Sequence, residues 1–137
     1  MAARSSYFLL AFRNIGLVPD CGVTWIVPRL IGGARARELA LLGEKLPAET
    51  AQEWGLINRV FDDETLIEET EKVARKLAEG PSGQSFIRQA MWDSLDNNFE
   101  TQLDRERQLQ LQAGQTGDFY EGVTAFLEKR AAKFTGN

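Results

Sequence analysis

With 137 residues, 43% of them apolar, and a formal net charge of -4, the chain is long enough to bury a core and too polar to be mainly membrane-embedded. The acidic balance argues against a duplex-binding protein, which needs a basic face to compete for phosphates. Histidine is absent, which removes the commonest metal ligand and the commonest general base together, so any catalysis in this chain falls to a carboxylate.

The longest apolar stretches, residues 7–12 and 24–27, fall far short of the roughly 20 residues that a bilayer helix needs. Residues 1–6 lack the pattern of a secretory signal, and the cytoplasm is the expected location. Cys21 is the sole cysteine, which rules out an internal disulfide and agrees with a reducing compartment. No metal, nucleic acid or membrane partner is expected.

In chain order, residues 6–12 (Ser-Tyr-Phe-Leu-Leu-Ala-Phe) show no period-2 alternation and are expected to form a strand or short segment covered on both sides. Gly16, Pro19, Asp20 and Gly22 mark a loop, with Asp20 suited to a turn or a helix cap. A helix is predicted from about residue 21 to 30, distorted by Pro28 and ended at Gly32-Gly33. Residues 34–42 are rich in helix formers and stop at Gly43; Pro47 starts a shorter helix that ends at Gly55. Residues 56–61 are predicted as a strand. Asp62 or Asp63 is expected to cap a helix that runs to about Glu79, before Gly80-Pro81. Helices follow over about residues 82–95, 99–113 and 118–133, the last with Asp118 as its cap. A strand at the beginning and another in the middle do not balance about six helices. A buried strand with both edges open needs partners, so the chain is expected to be part of a larger domain.

Ala11-Phe12-Arg13-Asn14-Ile15-Gly16-Leu17-Val18-Pro19-Asp20-Cys21-Gly22, then Thr24-Trp25 and Pro28-Arg29-Leu30-Ile31-Gly32, resembles the signature of the crotonase (enoyl-CoA hydratase/isomerase) superfamily. Leu42-Gly43-Glu44-Lys45-Leu46, Ala48, Ala51 and Gly55-Leu56 resemble a second family stretch. The run from Glu121 to Arg130 is similar to its C-terminal helix. Within the family, Thr101-Gln102-Leu103-Asp104 with Glu106-Arg107, and the Asp20-Cys21-Gly22 stretch, resemble the branch of isomerases acting in phenylacetate degradation.

The resemblance implies a fold that is mostly α with short β: residues 1–61 as the end of a ββα spiral, and residues 62–137 as a helical region that builds trimers or hexamers. The family's N-terminal half would lie upstream, with the two main-chain N–H donors that stabilise a thioester enolate. Asp20 matches the working carboxylate of isomerases, which shifts a proton along an enoyl chain or, alternatively, serves as a nucleophile on an activated ring. Hydratases place a second glutamate where this sequence has Phe12, and a phenylalanine can neither hold a water nor donate a proton. Isomerisation of an acyl-CoA is therefore expected; the alternatives are hydration by an unusual route, and a non-catalytic oligomerising fragment. No cofactor is expected to be tightly bound, because coenzyme A arrives as part of the thioester substrate.

Lys129 matches a lysine that reaches the coenzyme A 3′-phosphate, within a basic group that includes Arg130 and Lys133. Phe126, one turn earlier, would line the adenine pocket or pack a trimer. Phe12, Leu17, Val18 and Trp25 are expected either to shield Asp20 from water or to be plain core, and Cys21 to be a small buried residue.

Overall fold

The computed structural model describes all 137 residues, which fall into two compact units, Met1–Lys72 and Val73–Asn137. No helix is long and apolar enough to cross a membrane.

The first unit begins with β1 (Ala2–Ala3) and β2 (Tyr7–Phe8), followed by a 3-10 turn at Ala11–Ile15, α1 (Val23–Ile31) and α2 (Gly33–Leu42). It continues through β3 (Leu46–Pro47), α3 (Ala48–Glu53) and β4 (Val60–Phe61) into α4 (Leu66–Ala78). Strand β1 runs parallel to β4, with Ala2 opposite Val60, and β2 runs antiparallel to β3, with Phe8 opposite Leu46.

The strand expected over residues 6–12 is thus reduced to Tyr7–Phe8, and it is not covered on both sides. Tyr7 is 52% exposed, and the Lys45 ammonium lies 4.1 Å from its ring centroid. Beyond Phe8 the backbone tightens into the 3-10 turn, which Gly16 ends at a left-handed φ of 73°. The strand expected over residues 56–61 is likewise cut to Val60–Phe61. The N–H groups of Leu56 and Ile57 both turn back to the Ala51 carbonyl, at 2.8 and 3.4 Å, and are not available to a ladder.

What holds this unit together is the spacing of small and branched residues on α2 and α3. Ala36 and Leu39 lie three apart and face inward with Ile31, Leu46 and Ala51; Phe8, Leu10, Val27, Trp54, Leu56 and Ile57 pack around them. Ala48 and Ala51 are fully buried, so the short α3 approaches the core through methyl groups alone. Burying a leucine such as Leu39 contributes roughly 1.5–3 kcal/mol. Gly43 ends α2 at φ 63°, where a Cβ would meet the Arg13 side chain at 3.0 Å. The methylenes of Arg13 lie that close while its Nη1 donates to the Leu42 carbonyl at 2.7 Å, satisfying one of the helix's orphan acceptors.

Asp62 and Asp63, expected as caps of α4, serve the β1–β2 turn. The Arg4 guanidinium binds Asp62 at 2.9 Å and also Glu49, while Ser5 donates through its N–H (3.1 Å) and its hydroxyl to Asp63.

The second unit holds the end of α4, then α5 (Gly83–Asp93), α6 (Phe99–Ala113) and α7 (Gly117–Glu128). Helices α5 and α6 are pinned by Arg105 on Asp93 (2.7 Å) and by Gln102 Nε2 on the Ala90 carbonyl (3.1 Å), and Asn98 caps α6 by accepting from Thr101 N–H at 2.8 Å.

The cap of α7 differs from expectation: it is Thr116, whose hydroxyl accepts from Phe119 N–H at 3.1 Å. Asp118 is released for another task. It is 2% exposed, and its carboxylate accepts from the N–H groups of Ser82 (2.8 Å), Thr135 (2.8 Å) and Gly136 (3.1 Å). The helix stops at Glu128, short of the expected residue 133, because residues 129–137 fold back along α7. Glu121 secures them by accepting from both Arg130 Nη atoms (2.6 and 2.9 Å) and from Lys133 N–H (2.7 Å).

Those bonds make the returning segment acid-sensitive. Arg130, with Lys133 N–H, pulls the Glu121 carboxyl down from an ordinary 4.5 to about 2, and the three N–H donors lower that of Asp118. A carboxyl depressed in the folded state contributes stability that is complete above its unfolded value and is lost as pH falls toward the folded one. The amide protection factors of residues 130–136, taken against the exchange of an unstructured chain at the same pH, should therefore fall between about pH 4.5 and 2 and hold constant between pH 6 and 8.

Candidate active site

Asp20 sits in the first unit, on the turn that feeds α1. Val23 N–H donates to the Asp20 carbonyl at 3.0 Å, and the two residues between, Cys21 (φ 52°) and Gly22 (φ 76°), both have positive φ. That combination is a type I′ turn, which glycine or asparagine ordinarily fills. The N-cap of α1 is Gly22, with no side-chain capping bond, so Asp20 is not the cap that its place after proline suggested. Its carboxylate is exposed and free of structural duty in α1.

The surroundings of Asp20 correct two expectations. Leu17 and Val18 are 60% and 78% exposed and Phe12 is half-buried, so these side chains do not enclose the carboxylate within this chain. Trp25 is half-buried beneath Arg29, whose guanidinium carbon lies 3.8 Å from the ring centroid while Nη1 donates to the Trp25 carbonyl at 2.9 Å. Cys21 is exposed where a buried residue was expected, because the left-handed turn carries its side chain outward. Its thiol is pushed up from its ordinary value, first by hydrogen bonding to Asp20 and then by the charge of that carboxylate.

Phe126 and Lys129 belong to the second unit, at the end of α7. Phe126 is 82% exposed. It lines a cavity of 450 Å³ together with Phe119, Val123, Leu127 and Phe134, a wide and mainly apolar recess suited to a flat aromatic group. Lys129 is exposed and stands where the chain reverses, at φ 55°. Lys129 N–H returns to the Phe126 carbonyl (3.2 Å) and Arg130 N–H to the Ala125 carbonyl (3.0 Å). Phe126 and Lys129 are thus brought to one helix end. Asp118 and Glu121 hold that end in shape, a role that the sequence did not mark for either. Glu121 and Arg130 are nine apart, a spacing that no single helix or strand brings together, so no local signal could have found the pair.

The enoyl-CoA hydratase/isomerase family profile matches residues 1–137. The chain is 52% identical over 137 residues to 1,2-epoxyphenylacetyl-CoA isomerase of Escherichia coli K12, covering 99% of this chain and 52% of that protein. It is 39% identical to trans-2-decenoyl-[acyl-carrier-protein] isomerase of Streptococcus mutans, again over 99% of this chain and 52% of the relative. Among solved structures, an enoyl-CoA hydratase from Bacillus anthracis superposes with a TM-score of 0.93 at 31% identity, over 98% of this chain and 53% of that one. The chain spans about half the length of the relatives it matches.

The contact between Cys21 and Asp20 can be tested by the thiol itself, the only one in the chain. Replacing Asp20 with Asn removes the charge that disfavours the thiolate. Alkylation of Cys21 by iodoacetamide at pH 8 should then accelerate, by about 2- to 10-fold.

Proposed function

Because this chain belongs to the enoyl-CoA hydratase/isomerase family, we propose that it supplies the C-terminal half of an acyl-CoA isomerase in which Asp20 moves the proton. The observation that carries this reading is the state of Asp20. It is an exposed carboxylate on a turn with two residues at positive φ, it is not the cap of α1, and it lies close enough to the Cys21 thiol to raise its pKa. A carboxylate so placed can take a proton from one carbon of an enoyl-CoA thioester and return it two carbons away.

The intermediate is a dienolate whose oxygen needs main-chain N–H donors, each worth roughly 3–4 kcal/mol, and the resemblance puts those donors upstream of Met1. Phe12, where hydratases carry a glutamate, disfavours addition of water. The likeness to 1,2-epoxyphenylacetyl-CoA isomerase supports an aryl-acyl or enoyl thioester as the substrate class. Coenzyme A then enters with the substrate: Phe126 and its apolar recess suit the adenine, and the Lys129 ammonium the 3′-phosphate, as a point charge.

A second part of the proposal is self-association. Ile87, Met91 and Trp92 on α5 and Phe99 at the start of α6 are 58%, 69%, 63% and 73% exposed, more apolar surface than one chain leaves to water without a partner. Homo-oligomers are the expected result, and sedimentation at micromolar concentration should show species larger than one chain. A single monomeric boundary would remove this part of the reading.

The role of Asp20 is tested in the full-length enzyme by Asp20→Asn, which keeps size and polarity and removes the ability to accept a proton. The rate of 3-enoyl-CoA isomerisation should fall by about 100- to 10,000-fold while the melting temperature stays the same. A variant that melts normally and keeps more than about a tenth of the rate would show that the proton moves elsewhere.

A further inference from the structure

The chain reverses direction with the same pair of bonds at Gly16, at Gly55 and at Lys129. At Gly16, the N–H groups of Gly16 and Leu17 reach back to Arg13 (3.1 Å) and Phe12 (2.9 Å). At Gly55, those of Gly55 and Leu56 reach Gln52 (3.0 Å) and Ala51 (2.8 Å). The third reversal repeats the geometry at φ 55°, yet a lysine occupies the position that glycine fills in the other two. A side chain with a Cβ is disfavoured there, and it persists where surrounding structure over-determines the backbone.

That surrounding structure centres on Glu121, while Glu128 takes the remaining Arg130 donor, Nε, at 2.6 Å. The Glu121 carboxylate receives Arg130 Nη1 and Nη2 at 2.6 and 2.9 Å and Lys133 N–H at 2.7 Å, so it grips the residues that follow Lys129 at two points. Further on, Phe134 packs 3.6 Å from where a Cβ on Gly122 would stand, and it shares the recess with Phe126. Asp118 fixes Thr135 and Gly136 beyond it. The returning segment and the recess are therefore one assembly, with Lys129 at its hinge.

We propose that Glu121 is a positioning residue for the nucleotide end of the substrate: clamped on Arg130 and Lys133, it holds Lys129 in a glycine-like conformation that presents the ammonium to the 3′-phosphate. The inference rests on the reading of Lys129 given above. Relaxing the clamp lets the lysine leave the left-handed region, and its charge is then no longer fixed where the phosphate binds. The chemistry at the thioester is untouched, so the loss falls on substrate binding.

The experiment uses the full-length enzyme with Glu121→Gln, Lys129→Ala, Lys129→Gly and the double variant Glu121→Gln/Lys129→Ala. Each is assayed with an acyl-CoA and with the same acyl group on 3′-dephospho-coenzyme A. Glu121→Gln should raise KM for the acyl-CoA by about 5- to 30-fold with kcat within about twofold, and should have no such effect on the dephospho substrate. In the Lys129→Ala background it should add nothing. Lys129→Gly should lose the same binding while melting at or above the wild-type temperature, since glycine suits the backbone. Should Glu121→Gln fail to fold, Arg130→Lys, which keeps the positive charge but loses the two-pronged grip on Glu121, takes its place with the same readouts. Equal KM effects on both substrates, or additive effects in the double variant, would make Glu121 merely structural and overturn the inference. A Lys129→Ala enzyme with unchanged KM would instead remove the phosphate contact itself, a failure of the earlier reading that is visible in the single variant.

Discussion

The structure depends on left-handed chain reversals. Short helices can pack against one another only if the backbone turns sharply between them, and the sharpest turns need residues at positive φ. Gly16, Gly43 and Gly55 meet that need without a Cβ, and each sits at the end of a helical segment that contributes to, or leads into, the core of the first unit. The non-glycine residues at positive φ are Cys21 and Lys129. One is the neighbour of the carboxylate proposed to move the proton, and the other is the cation proposed to meet the nucleotide. For residues other than glycine this conformation costs roughly 1–2 kcal/mol, so both positions carry strain that the surrounding bonds offset.

Carboxylates that receive main-chain N–H groups across long sequence separations recur at both ends of the chain. Asp63 takes Ser5 N–H, Glu121 takes Lys133 N–H, and Asp118 takes Ser82, Thr135 and Gly136. Irregular segments have no ladder to satisfy their donors, and a carboxylate with several lone pairs can satisfy two or three at once. A chain with 20 acidic residues against 16 basic ones is well supplied with such acceptors. Asp63, Asp118 and Glu121 are therefore structural acceptors, and this use of acidic residues is separate from what the protein binds.

The helices were legible where a single local signal decided them. Residues 99–113 were read to the residue, and Gly43 and Gly55 end α2 and α3 as their sequence context required. The strands were not legible, because each is two residues long and is defined by a partner far along the chain. Ala2–Ala3 has no β-branched or aromatic side chain to mark it, and it pairs because Val60–Phe61 returns beside it. Asp118 failed for a related reason. Thr116 and Asp118 are both good caps, and only the returning segment, whose N–H groups need a buried acceptor, decides between them. Asp20 and Lys129 are singled out by resemblance; Pro19 and Gly22 mark the turn at Asp20, whereas the reversal at Lys129 falls inside a helix expected to run to residue 133.

Exposure of Asp20 bears on how much of the chemistry this chain can hold. Proton transfer at the carbon next to a thioester builds negative charge, and that charge is stabilised far better by fixed donors in a dry site than by bulk water. Within this chain Leu17 and Val18 stand open beside Asp20 rather than over it, and no wall excludes solvent from the carboxylate. The relatives are about twice as long as this chain, which spans 52% of the two isomerases. On the proposed reading, the remaining length is what closes the apolar surface over the turn and aims N–H donors at the enolate. The same apolar residues then have two uses, packing against added chain and keeping water from the dienolate, and a buried position in the completed enzyme would serve both at once. On that reading the first unit carries the proposed proton carrier, Asp20, the second carries the proposed phosphate contact, Lys129, and exclusion of water from the dienolate falls to the added length.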